Sequence, residues 1–168
     1  MGFLFFKTLK YHKLSEAQFN EMHKEFAIFL AAQSITKRDW DIIKSNKPKL
    51  VDDYLTAFSE MVWEKILSDC DYLEFSTPDQ LFLFHAKEML IDVLVVKIDS
   101  KMTDLNTLEG FRKVLTLLES DKVEILASSK SYSPSRNRFI YDYLIKGAII
   151  SKGKRYEILK SYFSNSSK

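Results

Sequence analysis

Residues 80–98 read QLFLFHAKEMLIDVLVVKI, and no other stretch of the chain is as apolar. An aromatic run comes first, a polar break follows at residues 85–88, and a run rich in β-branched residues ends the stretch. This order predicts a β-hairpin with a loop of about four or five residues. Both runs are apolar at odd and at even positions, so we expect both faces of the hairpin to be buried at the centre of a sheet. The side chains that should be almost fully buried are Phe82, Phe84, Val93 and Val95.

The elements around the hairpin indicate the fold class. The capping box of Ser15 and Gln18 predicts a first helix, Thr36 starts a second, and Pro48 begins a long third helix. Further strands are expected at 72–76 and 123–127, and further helices at 107–118, at 138–146 and after Ser151. The sequence therefore predicts an α+β fold with an N-terminal three-helix segment, a small mainly antiparallel sheet built on the hairpin, helices packed on that sheet, and two C-terminal helices. Because the last strand follows a helix, it could add to the sheet in parallel.

Length and composition bound the other possibilities. The chain of 168 residues should form one domain, with residues 1–9 as a flexible extension and residues 164–168 as a frayed tail. The single cysteine, Cys70, excludes an intramolecular disulfide and a multi-cysteine metal site, and it fits a reducing, cytoplasmic compartment. No run is long and apolar enough for a transmembrane helix, so we expect a soluble protein without a membrane partner.

Four segments carry a family likeness. They are KYHKL at 10–14, the residues Phe29, Leu30, Ser34, Ile35, Thr36 and Trp40, YLE at 72–74, and GAIISKG at 147–153 followed by Tyr156. In these segments the chain resembles a family of small cytoplasmic proteins of unknown function from Bacteroidetes bacteria. Some similar sequences carry the label histidyl-tRNA synthetase, but the core of a class II synthetase is far longer than this chain. The resemblance implies one small cytoplasmic domain and no particular activity.

The charges of the chain are divided unevenly. Residues 1–121 hold 15 Lys or Arg and 20 Asp or Glu, a net charge of −5, whereas residues 122–168 hold 10 and 3, a net charge of +7. A basic C-terminal third of this kind indicates an acidic partner, such as RNA, DNA or an acidic protein surface. The candidate binding residues are Lys130, Tyr132, Arg136, Arg138, Lys152, Lys154 and Arg155. The alternative is that these basic residues only solvate this end of the molecule and neutralise the acidic helices.

One constellation indicates catalysis instead. Asp79 follows Pro78, and Asp99 is followed two residues later by Lys101, a spacing that looks like the PD-(D/E)xK pattern of metal-dependent nucleases. Two carboxylates would hold Mg²⁺ and the lysine would stand beside the attacking water. The same residues are also ordinary at a strand end that enters a polar loop.

No glycine-rich phosphate loop and no common zinc, serine-hydrolase or dithiol motif occurs in the sequence. We therefore favour a non-enzymatic domain without a cofactor, which binds a macromolecule through its basic C-terminal third. A divergent nuclease domain that uses Mg²⁺ is the alternative.

Overall fold

The computed structural model describes residues 9–166, and the chain forms two compact units, Met1–Ile66 and Leu67–Lys168. Residues 1–8, most of the expected extension, lie outside the described residues. The single domain expected from the chain length stays a prediction. In the described residues the helices are α1 (Glu16–Glu21), α2 (His23–Ala32), α3 (Lys37–Asn46), α4 (Pro48–Ser68), α5 (Leu108–Thr116), α6 (Arg136–Ile145) and α7 (Lys154–Ser166). The strands there are β1 (Tyr72–Ser76), β2 (Gln80–Ala86), β3 (Leu90–Ile98), β4 (Val123–Ser131) and β5 (Ile149–Ser151).

The first unit packs its helices around an aromatic core. The capping box expected at Ser15 is present, but the first helix is broken at Met22 into α1 and α2. The ring of Phe58 on α4 is fully buried. Rings from α1 and α2 surround it with centroid distances of 5.1–5.8 Å, and these are Phe19, Phe26 and Phe29. Edge-to-face and tilted packing of this kind adds to the stability that apolar burial supplies.

The second unit is built on one five-stranded sheet with the strand order β4-β3-β2-β1-β5. Each of the four strand pairs is antiparallel, so the predicted α+β class and the central place of the hairpin are confirmed. The parallel addition considered for the last strand is wrong. Val123 at the start of β4 pairs with Ile98 at the end of β3. The segment that contains α5 therefore begins and ends at the same end of the sheet, and β4 runs back alongside β3.

Helices of the second unit cover both faces of the sheet. One face carries Leu81, Leu83 and Leu94, which form a core with Phe111 of α5 and Leu159 of α7. The opposite face carries Phe84, whose ring contacts rings of α6, with centroids 4.7 Å from Tyr143 and 6.1 Å from Phe139. The hairpin is therefore apolar on both faces because each face packs against different helices.

The burial expected for the hairpin is only partly right. Phe84 and Val93 are buried, whereas Phe82 and Val95 are half-buried. The ring of Phe82 contacts the rings of Phe75 and Phe84, and no ring contact from α6 reaches it in the described residues. The apolar pattern therefore predicts which face a side chain occupies, but not how far along the strand a covering helix extends.

Three boundaries of the strands differ from the sequence-based expectations. The hairpin loop has three residues, 87–89, because His85 and Ala86 continue β2. The strand β4 continues to Ser131, where a polar loop was expected from residue 128. The segment at 149–151 is a strand that pairs with β1, so Ser151 lies in β5 and α7 begins only at Lys154.

The C-terminal ends of α6 and α7 differ from each other. Gly147 ends α6 with a φ of 103°, the left-handed conformation that glycine commonly adopts just after a helix. The helix α7 continues to Ser166, so the backbone is helical over part of the expected frayed tail. No helix within residues 9–166 combines the length and the apolar composition that crossing a membrane requires.

Candidate functional site

The direction of the backbone hydrogen bonds in β3 determines which groups of β4 face outward. The amide of Ile98 donates to the carbonyl of Asp79 at 3.0 Å, and the amide of Lys87 donates to the carbonyl of Leu90 at 3.0 Å. In an antiparallel ladder the N–H and C=O groups of successive residues point to opposite sides of the strand. The even-numbered residues of β3 therefore bond to β2, and its odd-numbered residues bond to β4.

The register between β3 and β4 extends this alternation to the outer strand. The odd residues of β3 pair with the even residues of β4, for example Val93 with Ser128 and Val95 with Leu126. The odd residues of β4 therefore direct their backbone N–H and C=O groups away from the sheet. They include the half-buried Ile125 and the exposed Ala127, Ser129 and Ser131.

Little covers this edge in the described part of the chain. From Leu126 to Ser131 every residue of β4 is exposed, and Leu126 itself is 45% exposed. The strand is nine residues long, about the longest that is usual in globular proteins. A long strand with a row of unpaired backbone groups is a template for the addition of another strand.

A cleft of about 370 Å³ lies beside this edge, between β4 and α7. The helix α7 packs on β2 and β3, and this placement leaves the second half of β4 uncovered on the same face. The side chains that matter for the chemistry of the cleft are Asp92, Ala127, Ser129, Tyr156, Lys160 and Phe163.

The carboxylate in the cleft already has partners. Asp92 forms an ion pair with Lys87 at 2.5 Å, and the hydroxyl of Ser129 donates to the same carboxylate. Burial pushes the pKa of Asp92 upward, but the hydrogen bonds from Lys87 and Ser129 outweigh it and hold the pKa below its ordinary value. Asp92 is therefore ionised and neutralised by its neighbours at neutral pH.

The aromatic wall beside Asp92 is not a proton-transfer system. Burial, followed by the charges of Asp92 and Glu157, raises the pKa of Tyr156 to about 12, so its phenol stays protonated. His85 stacks on Tyr72 with a centroid distance of 4.5 Å and an angle of 12°. Burial, with the charges of Lys87 and Lys160, lowers the pKa of His85. A neutral, stacked imidazole is a packing group at neutral pH.

Arg136, one of the predicted binding residues, forms hydrogen bonds within the protein itself. Its guanidinium donates hydrogen bonds to four backbone carbonyls, at 2.8 Å to Leu67, 2.7 Å to Cys70, 3.1 Å to Ala86 and 3.2 Å to Lys87. These bonds join the C-terminal end of α4 and Cys70, which follows it, to the end of β2 and the hairpin loop. A guanidinium that is held in this way has few donors left for a phosphate.

Three further candidates also have partners within the second unit. The hydroxyl of Tyr132 donates to the carbonyl of Lys87 at 2.7 Å, and burial raises its pKa. Arg138 forms an ion pair with Asp142 at 2.9 Å. Arg155 lies 3.4 Å from the carboxylate of Glu74 and 5.2 Å from the ring centroid of Phe111.

The remaining candidates, Lys130, Lys152 and Lys154, are exposed, but the fold separates them. Lys130 lies on β4, whereas Lys152 and Lys154 follow β5 at the opposite edge of the sheet. Neighbouring strands are about 4.8 Å apart, so about 19 Å separates the two edges. The seven candidates are close in sequence, but they do not form one contact surface.

The nuclease constellation is joined through the backbone and not through its carboxylates. The amide of Ile98 donates to the carbonyl of Asp79, as described above, so Asp79 and Asp99 are close in the fold. The carboxylate of Asp79 accepts from the hydroxyl of Thr77 at 2.9 Å, and that of Asp99 accepts from the amide of Lys101 at 2.9 Å. Across residues 9–166 no group of three or more His, Cys, Asp or Glu side chains converges as metal ligands would.

One comparison with known proteins gives a match. A model of a family of unknown function, DUF6495, matches residues 9–164. The chain belongs to this family. The curated proteins and the solved structures gave no match. The description of DUF6495 names neither a taxon nor a synthetase activity.

The DUF6495 match includes the cleft residues that sequence reasoning missed. Of Asp92, Ser129, Tyr156 and Lys160 only Tyr156 carries the family likeness, and none belongs to a catalytic or binding motif. The four come together only through the pairing of β3 with β4 and the packing of α7. A signal was present for Asp92 and His85, because both interrupt apolar runs of the hairpin and their spacing makes them cross-strand partners. No comparable signal marks Ser129, since a strand exposed on both faces has no apolar alternation.

Proposed function

We propose that this DUF6495 chain is a non-enzymatic binding domain that takes up an extended, acidic segment of a partner protein along the outer edge of β4. The observation that carries the proposal is the free edge of this strand, with outward backbone groups at Ile125, Ala127, Ser129 and Ser131. An extended segment that adds to such an edge gains affinity from main-chain hydrogen bonds and specificity from side-chain pockets beside it. The edge lies in the basic C-terminal third that the charge distribution indicates.

The middle of β4 lacks the devices that usually protect an edge strand. Natural edges carry charges, prolines or bulges that prevent pairing. The charges of β4 are at its ends, where Glu124 pairs with Lys97 at 3.5 Å and the ammonium of Lys130 lies 5.6 Å from the ring centroid of Phe139. The residues between them, 125–129, are uncharged. This arrangement supports strand addition at the centre of the edge.

Charge determines the kind of segment that we expect. Two exposed lysines stand near the edge, Lys130 on β4 and Lys160 in the cleft beside it. A segment rich in Asp or Glu would be attracted to this region over distances of about 8–10 Å at moderate salt.

A protein segment fits these features better than nucleic acid does. Nucleic-acid binding would call for basic side chains along one continuous surface, whereas the exposed lysines occupy opposite edges and the guanidinium of Arg136 is engaged by carbonyls. The nuclease alternative is less favoured, because the carboxylates of Asp79 and Asp99, although the two residues are close in the fold, each accept a hydrogen bond within their own turn. A cytoplasmic location in a bacterium of the Bacteroidetes group goes with the proposal as an expectation from the resemblance.

A proline substitution on β4 tests the proposal. Ala127→Pro removes an outward N–H and leaves the bonds to β3 in place, since proline is tolerated where the amide faces away from the sheet. The matched control is Ile150→Pro on the opposite edge. The amide of Ala86 donates to the carbonyl of Asp71 at 2.7 Å, so the odd-numbered residues of β1 bond to β2 and its even-numbered residues bond to β5. Tyr72 and Glu74 pair with Ser151 and Ile149. The amide of Ile150, which lies between them, therefore faces outward.

The probe is a displayed library of random nine-residue peptides, selected on the full chain and counter-selected on Ala127→Pro. We expect peptides that bind the parent chain and Ile150→Pro equally and bind Ala127→Pro at least tenfold more weakly. In the complex, amide hydrogen exchange should slow at Ile125, Ala127, Ser129 and Ser131. Selected peptides that keep their affinity for Ala127→Pro, or no selection above the counter-selected background, would overturn the proposal. Tight, salt-dependent binding of RNA or DNA oligonucleotides that Ala127→Pro leaves unchanged would overturn it in favour of nucleic acid.

A further inference from the structure

The geometry of β4 determines which residues of a bound strand would reach the cleft. Directly opposite residues of paired strands place their side chains on the same face of the sheet. The residues of a bound segment opposite Ala127 and Ser129 would therefore face the cleft and α7. The residues between them would lie on the other face, beside Leu126 and Ser128. Only every second residue of the segment can be read by the cleft.

The charges that line the cleft do not cancel. Asp92 is matched by Lys87 at 2.5 Å and by the hydroxyl of Ser129. The ammonium of Lys160 lies 5.6 Å from the ring centroid of Tyr156, and within residues 9–166 no carboxylate lies at ion-pair distance from it. The nearest acidic residue on its own helix, Glu157, accepts a hydrogen bond from Tyr72 at 2.9 Å, on the side of β1 and not of β4.

The surroundings of Lys160 suit an ion pair with a ligand. The rings of Tyr156 and Phe163 line the cleft beside it, and Lys160 is exposed, so a ligand can reach its ammonium from solvent. A volume of about 370 Å³ accommodates one or two side chains rather than a folded partner.

We infer that the cleft between β4 and α7 is a carboxylate-binding pocket, in which Lys160 pairs with an Asp or Glu side chain on the strand bound to β4. The inference rests on the proposed function and specifies it. The preferred segment is extended, with acidic residues at alternate positions that face the cleft and with apolar or hydroxyl residues between them, against Leu126.

Three labelled nine-residue peptides test the pocket, in which Val alternates with Glu, with Gln or with Lys. The variant is Lys160→Glu, and the matched control is Lys152→Glu, which changes the net charge equally but lies beyond the opposite edge. We expect the Glu peptide to bind the parent chain at least tenfold more tightly than the Gln peptide does. Lys160→Glu should abolish that preference and favour the Lys peptide, while Lys152→Glu should change the affinity less than twofold.

The outcomes separate the pocket from the strand site. Equal losses with Lys160→Glu and Lys152→Glu, or equal binding of the Glu and Gln peptides, would overturn the carboxylate pocket. Strand addition would still stand in that case if Ala127→Pro weakens binding of all the peptides. If Ala127→Pro leaves binding of the Glu peptide unchanged, the proposed function is overturned, and with it the pocket, which depends on that function.

Discussion

The two edges of the sheet are β4 and β5, and they expose very different amounts of backbone. The strand β4 has nine residues and β5 has three. Because only alternate residues face outward, β5 presents the backbone groups of Ile150 alone, whereas β4 presents those of Ile125, Ala127, Ser129 and Ser131. Exposed apolar side chains do not distinguish the edges, since Ile150 is 47% exposed and Leu126 is 45% exposed.

The ends of the two strands explain the difference. Gly147 and Gly153 flank β5, with φ angles of 103° and 73°, and a residue in the left-handed region does not continue a strand. The end of β4 is held differently, because Tyr132 and Arg136 attach the following segment to the hairpin loop. An edge can bind a strand only where it is both long and held in place, and β4 meets both conditions.

The largest expected effect concerns the attachment that holds the end of β4. Arg136→Ala would leave four backbone carbonyls without their charged donor, so we expect a loss of about 3–4 kcal/mol in the free energy of unfolding. Urea unfolding followed by circular dichroism measures it. The control Arg138→Ala removes a half-exposed ion pair with Asp142 and should cost about 0.5 kcal/mol. Equal effects of the two variants would mean that β4 is held by something else.

The next effect tests which backbone groups of β4 face outward. Ser128 bonds to β3, so Ser128→Pro should remove a ladder hydrogen bond and cost about 2–3 kcal/mol. Ala127→Pro removes an amide that faces outward and should cost less than about 1 kcal/mol. The comparison uses the same urea unfolding measurement. If Ala127→Pro were the more damaging variant, the alternation would be reversed and the edge would present Leu126 and Ser128 instead.

The sequence predicts much of this fold, because period-two and helical patterns, capping boxes and a helix-ending glycine are local signals. The hairpin at 80–98 was recognisable since it is buried on both faces. The second half of β4 was not, because Ser128, Ser129 and Ser131 are exposed and resemble a loop. The strand β5 was missed for a related reason: three residues are too few to show a period.

The candidate site was harder to predict than the fold. The net charge shows how many basic residues the C-terminal third contains. It does not show which of their side chains form hydrogen bonds or ion pairs within the protein. Arg136 and Tyr132 looked like ligand contacts in a polar loop, and in the fold they donate to carbonyls of the hairpin loop. Lys160 lay outside the candidates, since its place beside β4 depends on how α7 packs.

The smallest expected effect concerns the face of the sheet that α7 covers, on the side towards β5. Stacked rings fill the space there, whereas a cleft remains beside β4. The ring of His85 stacks on Tyr72, and its Nδ1 atom is buried without a hydrogen-bond partner among the described residues. Burial, followed by the charges of Lys87 and Lys160, holds the pKa of His85 below its ordinary value. Near pH 6 the unfolded chain, in which a histidine has a pKa of about 6.5, therefore binds more protons at this site than the folded chain does.

The sign of the pH dependence follows from this difference. The contribution of His85 to stability is fully present above a pH of about 6.5 and is lost as the pH falls below that value. Replacing it by Phe keeps a ring for the stack and removes the titration, so the urea midpoint of His85→Phe should fall less between pH 7 and pH 5 than that of the parent chain. The control for the loss of a histidine elsewhere in the chain is His23→Gln, on an exposed position of α2. If His85→Phe and the parent chain lose stability in parallel, water reaches the imidazole in the folded state. The β5 side of the face would then be as open as the cleft at β4, and the contrast between the two sides would be lost.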